Sequence, residues 1–304
     1  MPLDADEPAV EGFRRVLLHL ADAIEANLLG TIDATDPECL HELRVAVRRS
    51  RCVLGRAKGV VPEDVRAHHR GELGWLSALT GPARDLDVLL LEWDRYLAPL
   101  DPGSVRALAP VREELEGRAA AVHEQLSAGL RSERYEDLMA GWERWLRTPS
   151  EDVTGPSVGS VAARRIEAAQ RRVLRAGRAI TADAPPEALH DLRKDAKRLR
   201  YLLECFGSLL PRKPRKAFVT TLKDLQDNLG AHQDAEVHGR VLRSVVTDLG
   251  PRADPATASA ADALIERLDR RRADEREHFA RRFAAYDTPA TALALDRLLE
   301  RLRD

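Results

Sequence analysis

HELRVAVRRSR, residues 41–51, and HDLRKDAKRLR, residues 190–200, agree at His, Leu, Arg and two later Arg positions with an offset of 149. The register continues downstream without insertion through Leu54 and Leu203, Pro62 and Pro211, Leu73 and Leu222, Leu76 and Leu225, Gly81 and Gly230, Asp85 and Asp234, and Val88 and Val237. Agreement held over some forty residues marks an internal repeat, which is read before any single motif. The 304 residues then divide into repeat one, about 1–150, and repeat two, about 151–304, within a single domain. The segment from Thr148 to Ser160 carries the Pro, Gly and Ser of a connector.

Each copy of the segment is an amphipathic helix. At 100° per residue Arg44, Arg48 and Arg51 fall within about 80° of His41, while Leu43, Val47, Ser50 and Leu54 occupy the opposite face. The second copy repeats this with His190, Arg193, Lys197 and Arg200 against Leu192, Ala196, Leu199, Leu203 and Phe206; Lys194 and Tyr201 widen its stripe. Both eleven-residue segments carry a charge of +3, with Glu42, Asp191 and Asp195 expected well round the helix from the stripe. A solvated face ordinarily mixes signs for i,i+4 pairing, so two one-signed stripes at one spacing point to an anionic ligand that offsets their repulsion. Arg164, Arg171, Arg175 and Arg178 form a further stripe on the preceding helix, and Lys213, Arg215, Lys216 and Lys223 follow the second motif. Repeat one is poorer there, with Arg15 and Asp22 matching Arg164 and Arg171.

The surrounding sequence predicts an all-α protein of two helical-bundle repeats. Aromatic residues make up 4% and charged residues 32%, and the apolar positions are mostly helix-compatible Leu, Ala and Val. Helical periodicity covers 8–30, 38–60, 63–80, 83–98, 104–130 and 133–147 in the first half. In the second it covers 158–182, 187–210, 213–229, 232–249, 256–286 and 289–302. Two such halves are expected to pack about a pseudo-twofold axis, with equivalent faces toward each other or on one surface. A net charge of -2 excludes a generic basic nucleic-acid coat, so any polyanion site is local. Cys39, Cys52 and Cys205 form neither a disulfide framework nor a zinc motif. The acidic start MPLDADEPAVEG and the short apolar runs indicate a cytoplasmic protein without a membrane span.

The paired H-x-L-R-x-x-x-[RK]-R-x-R helices, each followed by a turn such as LSALTGPARDLD or LQDNLGAHQDAE, resemble the CHAD family, the conserved histidine α-helical domain, over nearly the whole chain. The resemblance implies four-helix-bundle-like halves in pseudo-twofold symmetry and binding of inorganic polyphosphate in a basic central cavity, with localisation to polyphosphate granules. It carries the ligand-facing role to His41, Arg44, Arg48, Arg49 and Arg51, and to His190, Arg193, Lys197, Arg198 and Arg200. Arg84 departs from the pattern, since Gln233 stands at the matching position. Proteins of polyphosphate metabolism are the partners such a role implies.

Dense cations without a stacking platform suit a base-free polyanion, with Arg offering paired N–H donors and Lys a mobile charge. Nucleic acid or a general polyanion is the alternative ligand, but only Tyr201 supplies an aromatic near a stripe. A phosphohydrolase or phosphotransferase using the motif histidines needs a base or metal beside them, and Arg surrounds them instead. No cofactor or metal motif is present, and no G-x-x-x-x-G-K-[ST] loop. His41 and His190 are read as charging only when ligand is bound. Of the remaining residues, His68 and His69 read as solvated, Trp142 and Trp145 as core, and Asp85 and Asp234 as helix-opening caps or bridges to the motif helices.

Overall fold

A computed structural model describes residues 2–149, 154–181 and 183–303, so most of the connector's centre and the predicted helix end at 182 lie outside the described residues. The chain is all-α. Its helices are α1 (Ala9–Ala26), α2 (Leu28–Ile32), α3 (Pro37–Arg56), α4 (Glu63–Leu79), α5 (Gly81–Leu91), α6 (Trp93–Leu97), α7 (Pro102–Ala107), α8 (Ala109–Leu130) and α9 (Glu133–Arg147). The second half contributes α10 (Val158–Arg178), α11 (Pro186–Cys205), α12 (Arg212–Leu249), α13 (Pro255–Tyr286) and α14 (Pro289–Leu299). Among the described residues no strand forms, and two isolated bridges join Pro8 to Ser157 and Lys58 to Val61.

The motif segments lie on α3 and α11, each 20 residues long with Pro at the first helical position. Proline suits that position because its missing N–H has no intrahelical partner there. Asp36 caps α3 by accepting from the Glu38 amide at 2.8 Å. The copies diverge further on. In the first, Thr80 separates α4 from α5 just before Pro82; in the second, Gly230 and Ala231 let α12 run unbroken for 38 residues. The break expected between 229 and 232 is therefore absent, because Ala231 keeps the amide that Pro82 lacks. Asp234 accordingly lies inside a helix and opens none, and Asp85 lies within α5 without a capping bond. Expected single helices also divide at Asn27, Glu92 and Leu108, the last two residues before Pro110. Gly250, at φ 48, ends α12 in a conformation disfavoured for other residues.

The two sequence halves do not keep separate cores. One buried cluster joins α1, α3, α4 and α9 to α10, α11, α14, the start of α12 and the end of α13. The other joins α5, α6 and α8 to the end of α12 and the start of α13. The antiparallel pair α12 and α13 packs along its length and passes through both. Trp142 is fully buried, as expected of a core residue, and stacks on Trp145 with ring centroids 5.4 Å apart. His69 corrects the solvated reading: it is buried, 4.4 Å from Trp142, and burial holds its pKa down to about 4. Only His68 is exposed, as adjacent residues on a helix point about 100° apart.

Candidate functional site

Helices α3 and α11 pack against each other, with Cys52 Sγ 3.7 Å from the Arg198 carbonyl. Their cationic faces open onto one cavity of about 460 Å³. Arg48 and Arg51 enter it from α3; His190, Arg193, Lys194, Lys197 and Arg198 enter from α11. Arg56, Arg70 of α4 and Arg172 of α10 extend the same lining, and among the described residues no carboxylate belongs to it. Several lining cations are answered from behind: Arg172 Nε and Arg198 Nη1 reach Asp195 at 2.7 and 2.6 Å, Lys194 reaches Asp191 at 2.5 Å, and Arg193 reaches Asp234 at 3.4 Å. Arg48, Arg51, Arg56, Arg70 and Lys197 have no hydrogen bond or ion pair among the described residues.

Crowding and burial show in the acidities. Desolvation, helped by Arg193 and Arg48 and opposed by Asp234, brings the Lys197 ammonium down to about 7. Desolvation and Arg48 bring Arg44 down to about 10 against the pull of Asp85. Arg51 is lowered by burial and then by Arg70, Arg198 and Arg48, and Arg193 by burial in spite of Asp234. His41 is lowered by desolvation and by Arg84, while Glu38 and Glu42 pull the other way. The site thus holds cations whose mutual repulsion an anion would relieve.

The remaining residues of the sequence-derived set are distributed around this cavity. Arg44 lies behind it, donating to Thr80 Oγ1 at 2.8 Å and to the Ser77 carbonyl at 3.3 Å. Arg49 turns to the opposite side of the motif pair and meets Glu204 at 2.5 Å. Tyr201 lines the cavity but is only 5% exposed, with Arg49 and Arg200 over its ring at 5.9 and 5.8 Å. Arg200, 3.5 Å from Glu204, lines a second cavity described below. His41 sits beside Arg84, while His190 is hydrogen-bonded to Gln233, so the positions that differ between repeats both neighbour a motif histidine.

Arg164 and Arg171 line a separate cavity with Glu167, Asp296 and Arg303, and Arg175 and Lys223 are exposed away from the basic one. Arg172 faces the motif helices in their place, one residue and about 100° round α10 from Arg171. The run Arg171-Arg172 held that signal, but the choice between them required the packing angle. Arg70, beside the histidine pair, is brought in by the α3–α4 hairpin. Asp195, outside the cavity lining, is buried 95% and bridges α10 to Arg198. Glu38, His41 and Glu42, on the exposed first turns of α3, bring one ligand atom each within 4.8 Å of one another.

A second cavity of about 400 Å³ shares Arg193 and Lys197 with the first. Arg200, Arg271, Gln226, Tyr96 and His238 join it, and unlike its neighbour it contains the carboxylates Glu92, Asp227 and Asp234.

The CHAD domain profile matches residues 15–243, three quarters of the chain. The chain belongs to the CHAD domain family. The crystal structure of the CHAD domain from the plant Ricinus communis is similar at a TM-score of 0.79 and 28% identity, covering 95% of this chain and 96% of that one. PptA from Streptomyces chartreusis shares the fold at a TM-score of 0.70 and 19% identity, covering 91% and 99%. Uncharacterized proteins of Mycobacterium tuberculosis strains CDC 1551 and H37Rv are each 30% identical over 203 residues. That match takes in 63% of this CHAD chain and 39% of each relative, so the chain spans about two fifths of their length.

Proposed function

We propose that this CHAD domain protein binds inorganic polyphosphate along the cavity between α3 and α11. The observation that carries the reading is a lining of nine Arg and Lys side chains and one His without a carboxylate. Five of the nine, Arg48, Arg51, Arg56, Arg70 and Lys197, lack a partner among the described residues. A helix presents about one cation per 5.4 Å turn, and two adjacent helices double the density, which approaches that of a phosphate chain. Nucleic acid fits less well, since the single lining aromatic, Tyr201, is buried under guanidinium groups and offers no stacking face. The reading is of a binding module without catalysis: no carboxylate lines the cavity to act as a base, and His190 is engaged by Gln233. Among the described residues no helix is long and apolar enough to cross a membrane. In this reading the protein acts in the cytoplasm at polyphosphate granules, beside proteins of polyphosphate metabolism.

The test is titration with polyphosphate of defined length at two salt concentrations, with single-stranded DNA of matched charge as competitor and free phosphate assayed afterwards. The expected result is binding that DNA does not displace, that releases no phosphate and that weakens by about 0.7 logarithmic units per phosphate contact for each tenfold rise in salt. Arg48→Glu and Lys197→Glu should each lower affinity at least about tenfold. Equal displacement by DNA would leave a general polyanion receptor, and phosphate release would point to an enzyme.

A further inference from the structure

The two cavities that meet at Arg193 and Lys197 ask for different ligand groups. The first offers hydrogen-bond donors and positive charge, which any ionised phosphate satisfies. The second adds acceptors. Glu92 is held by Arg95 at 2.7 Å and Asp234 by Arg193 at 3.4 Å, while Asp227 has no ion pair among the described residues. Gln226 lines the same cavity at 5% exposure, and among the described residues neither its amide nitrogen nor its amide oxygen has a partner. A buried amide in that state lacks one donor and one acceptor at once. Arg271, also unpaired among the described residues, faces it from α13, and the wall is closed by Tyr96 OH, 2.8 Å from His238 Nδ1.

The interior units of a polyphosphate chain are fully ionised and carry acceptors only. They leave the Gln226 oxygen unanswered and are repelled by Asp227. The terminal phosphate differs. Like a phosphomonoester, whose second ionisation falls at about pH 6, it retains a weakly acidic hydroxyl beside its acceptor oxygens.

We infer that the second cavity recognises the end of the chain: Gln226 Nε2, Lys197 and Arg271 donate to the terminal phosphate oxygens, and its P–OH donates to Gln226 Oε1 or to Asp227. The chain interior then runs into the carboxylate-free cavity across the shared Arg193 and Lys197, which gives the ligand a direction. This inference rests on the polyphosphate reading above and adds to it a preference between parts of one polymer.

The test compares two polyphosphates of equal length, one with free ends and one with both ends converted to alkyl esters. They are titrated at a mildly acidic pH where free and esterified ends carry the same charge. The free-ended chain should bind about tenfold tighter, the worth of a hydrogen bond involving a charged group. Asp227→Asn, at an exposed position, and Gln226→Leu should each bring the ratio of the two affinities toward one. Equal affinities in the unaltered protein, or a ratio unchanged in both variants, would overturn the end-recognition role while leaving polyphosphate binding in place. Failure of both polymers to bind would remove both readings.

Discussion

Burial, with Arg193, Arg48 and Arg200 beside it and Asp234 pulling the other way, brings the Lys197 ammonium down to about 7. Its folded pKa lies below the ordinary lysine value, so between about pH 7 and pH 10.5 the unfolded chain binds the extra proton. The penalty of the buried charge is therefore complete below pH 7 and is relieved as pH rises. Lys197→Met should raise denaturant stability at pH 6 by on the order of 1–2 kcal/mol, once the water reaching this partly buried side chain is allowed for, with a smaller gain at pH 9. Binding should move the other way. Polyphosphate affinity of the unaltered protein should fall as pH rises from 6 to 8.5, and the Met variant, weaker throughout, should lose that part of the slope; titration at four pH values checks both. Burial and then Arg84 lower the pKa of His41, which places its titration on the acidic side of the ordinary imidazole range. With His41 charging only when ligand is bound, affinity should rise further as the solution is made more acidic, and His41→Gln should flatten that limb.

At the scale of elements, one divergence between the copies lies where Pro82 stands against Ala231. The proline lacks the amide a continuing helix would use, and its ring crowds the carbonyl one turn back. Ala231→Pro should break α12 near the site and cost about 3 kcal/mol, read from urea denaturation. Pro82→Ala, at an exposed position, should be close to neutral and join α4 to α5, read as a small gain in helical circular dichroism. The helix faces were legible from period alone: Leu43, Val47, Leu54, Leu192, Ala196 and Leu203 are all buried as placed. What period does not give is the rotation of one helix against another. Arg49 illustrates the limit: it belongs to the motif and to the resemblance, yet it points away from the cavity into an ion pair with Glu204 of the partner helix.

On the scale of the whole molecule, the repeats are continuous in sequence and interleaved in space. Both buried clusters draw on residues from either side of the connector, and α12 with α13 runs through the two. Neither half can bury its apolar faces alone, because part of each core lies on the other. The full chain should therefore unfold in one calorimetric transition, and fragments ending or beginning near residue 150 should lack a cooperative transition when separate and regain one when mixed. Two transitions in the intact chain would contradict this account.

The sequence by itself determined the all-α class, the internal repeat, the family resemblance and the two helices that carry the cations, because local periodicity and register are properties of one segment at a time. Tertiary structure decided the membership of the site. Arg56, Arg70 and Arg172 entered, Arg164, Arg171, Arg175 and Lys223 stayed outside, and Arg44 and Arg49 turned to other partners. It also set a cation-rich cavity beside one of mixed charge, a distinction invisible along the chain. The reason is geometric: a change of one residue on a helix swings a side chain by about 100°, and only the packing of neighbouring helices fixes which of two adjacent arginines lines the cavity.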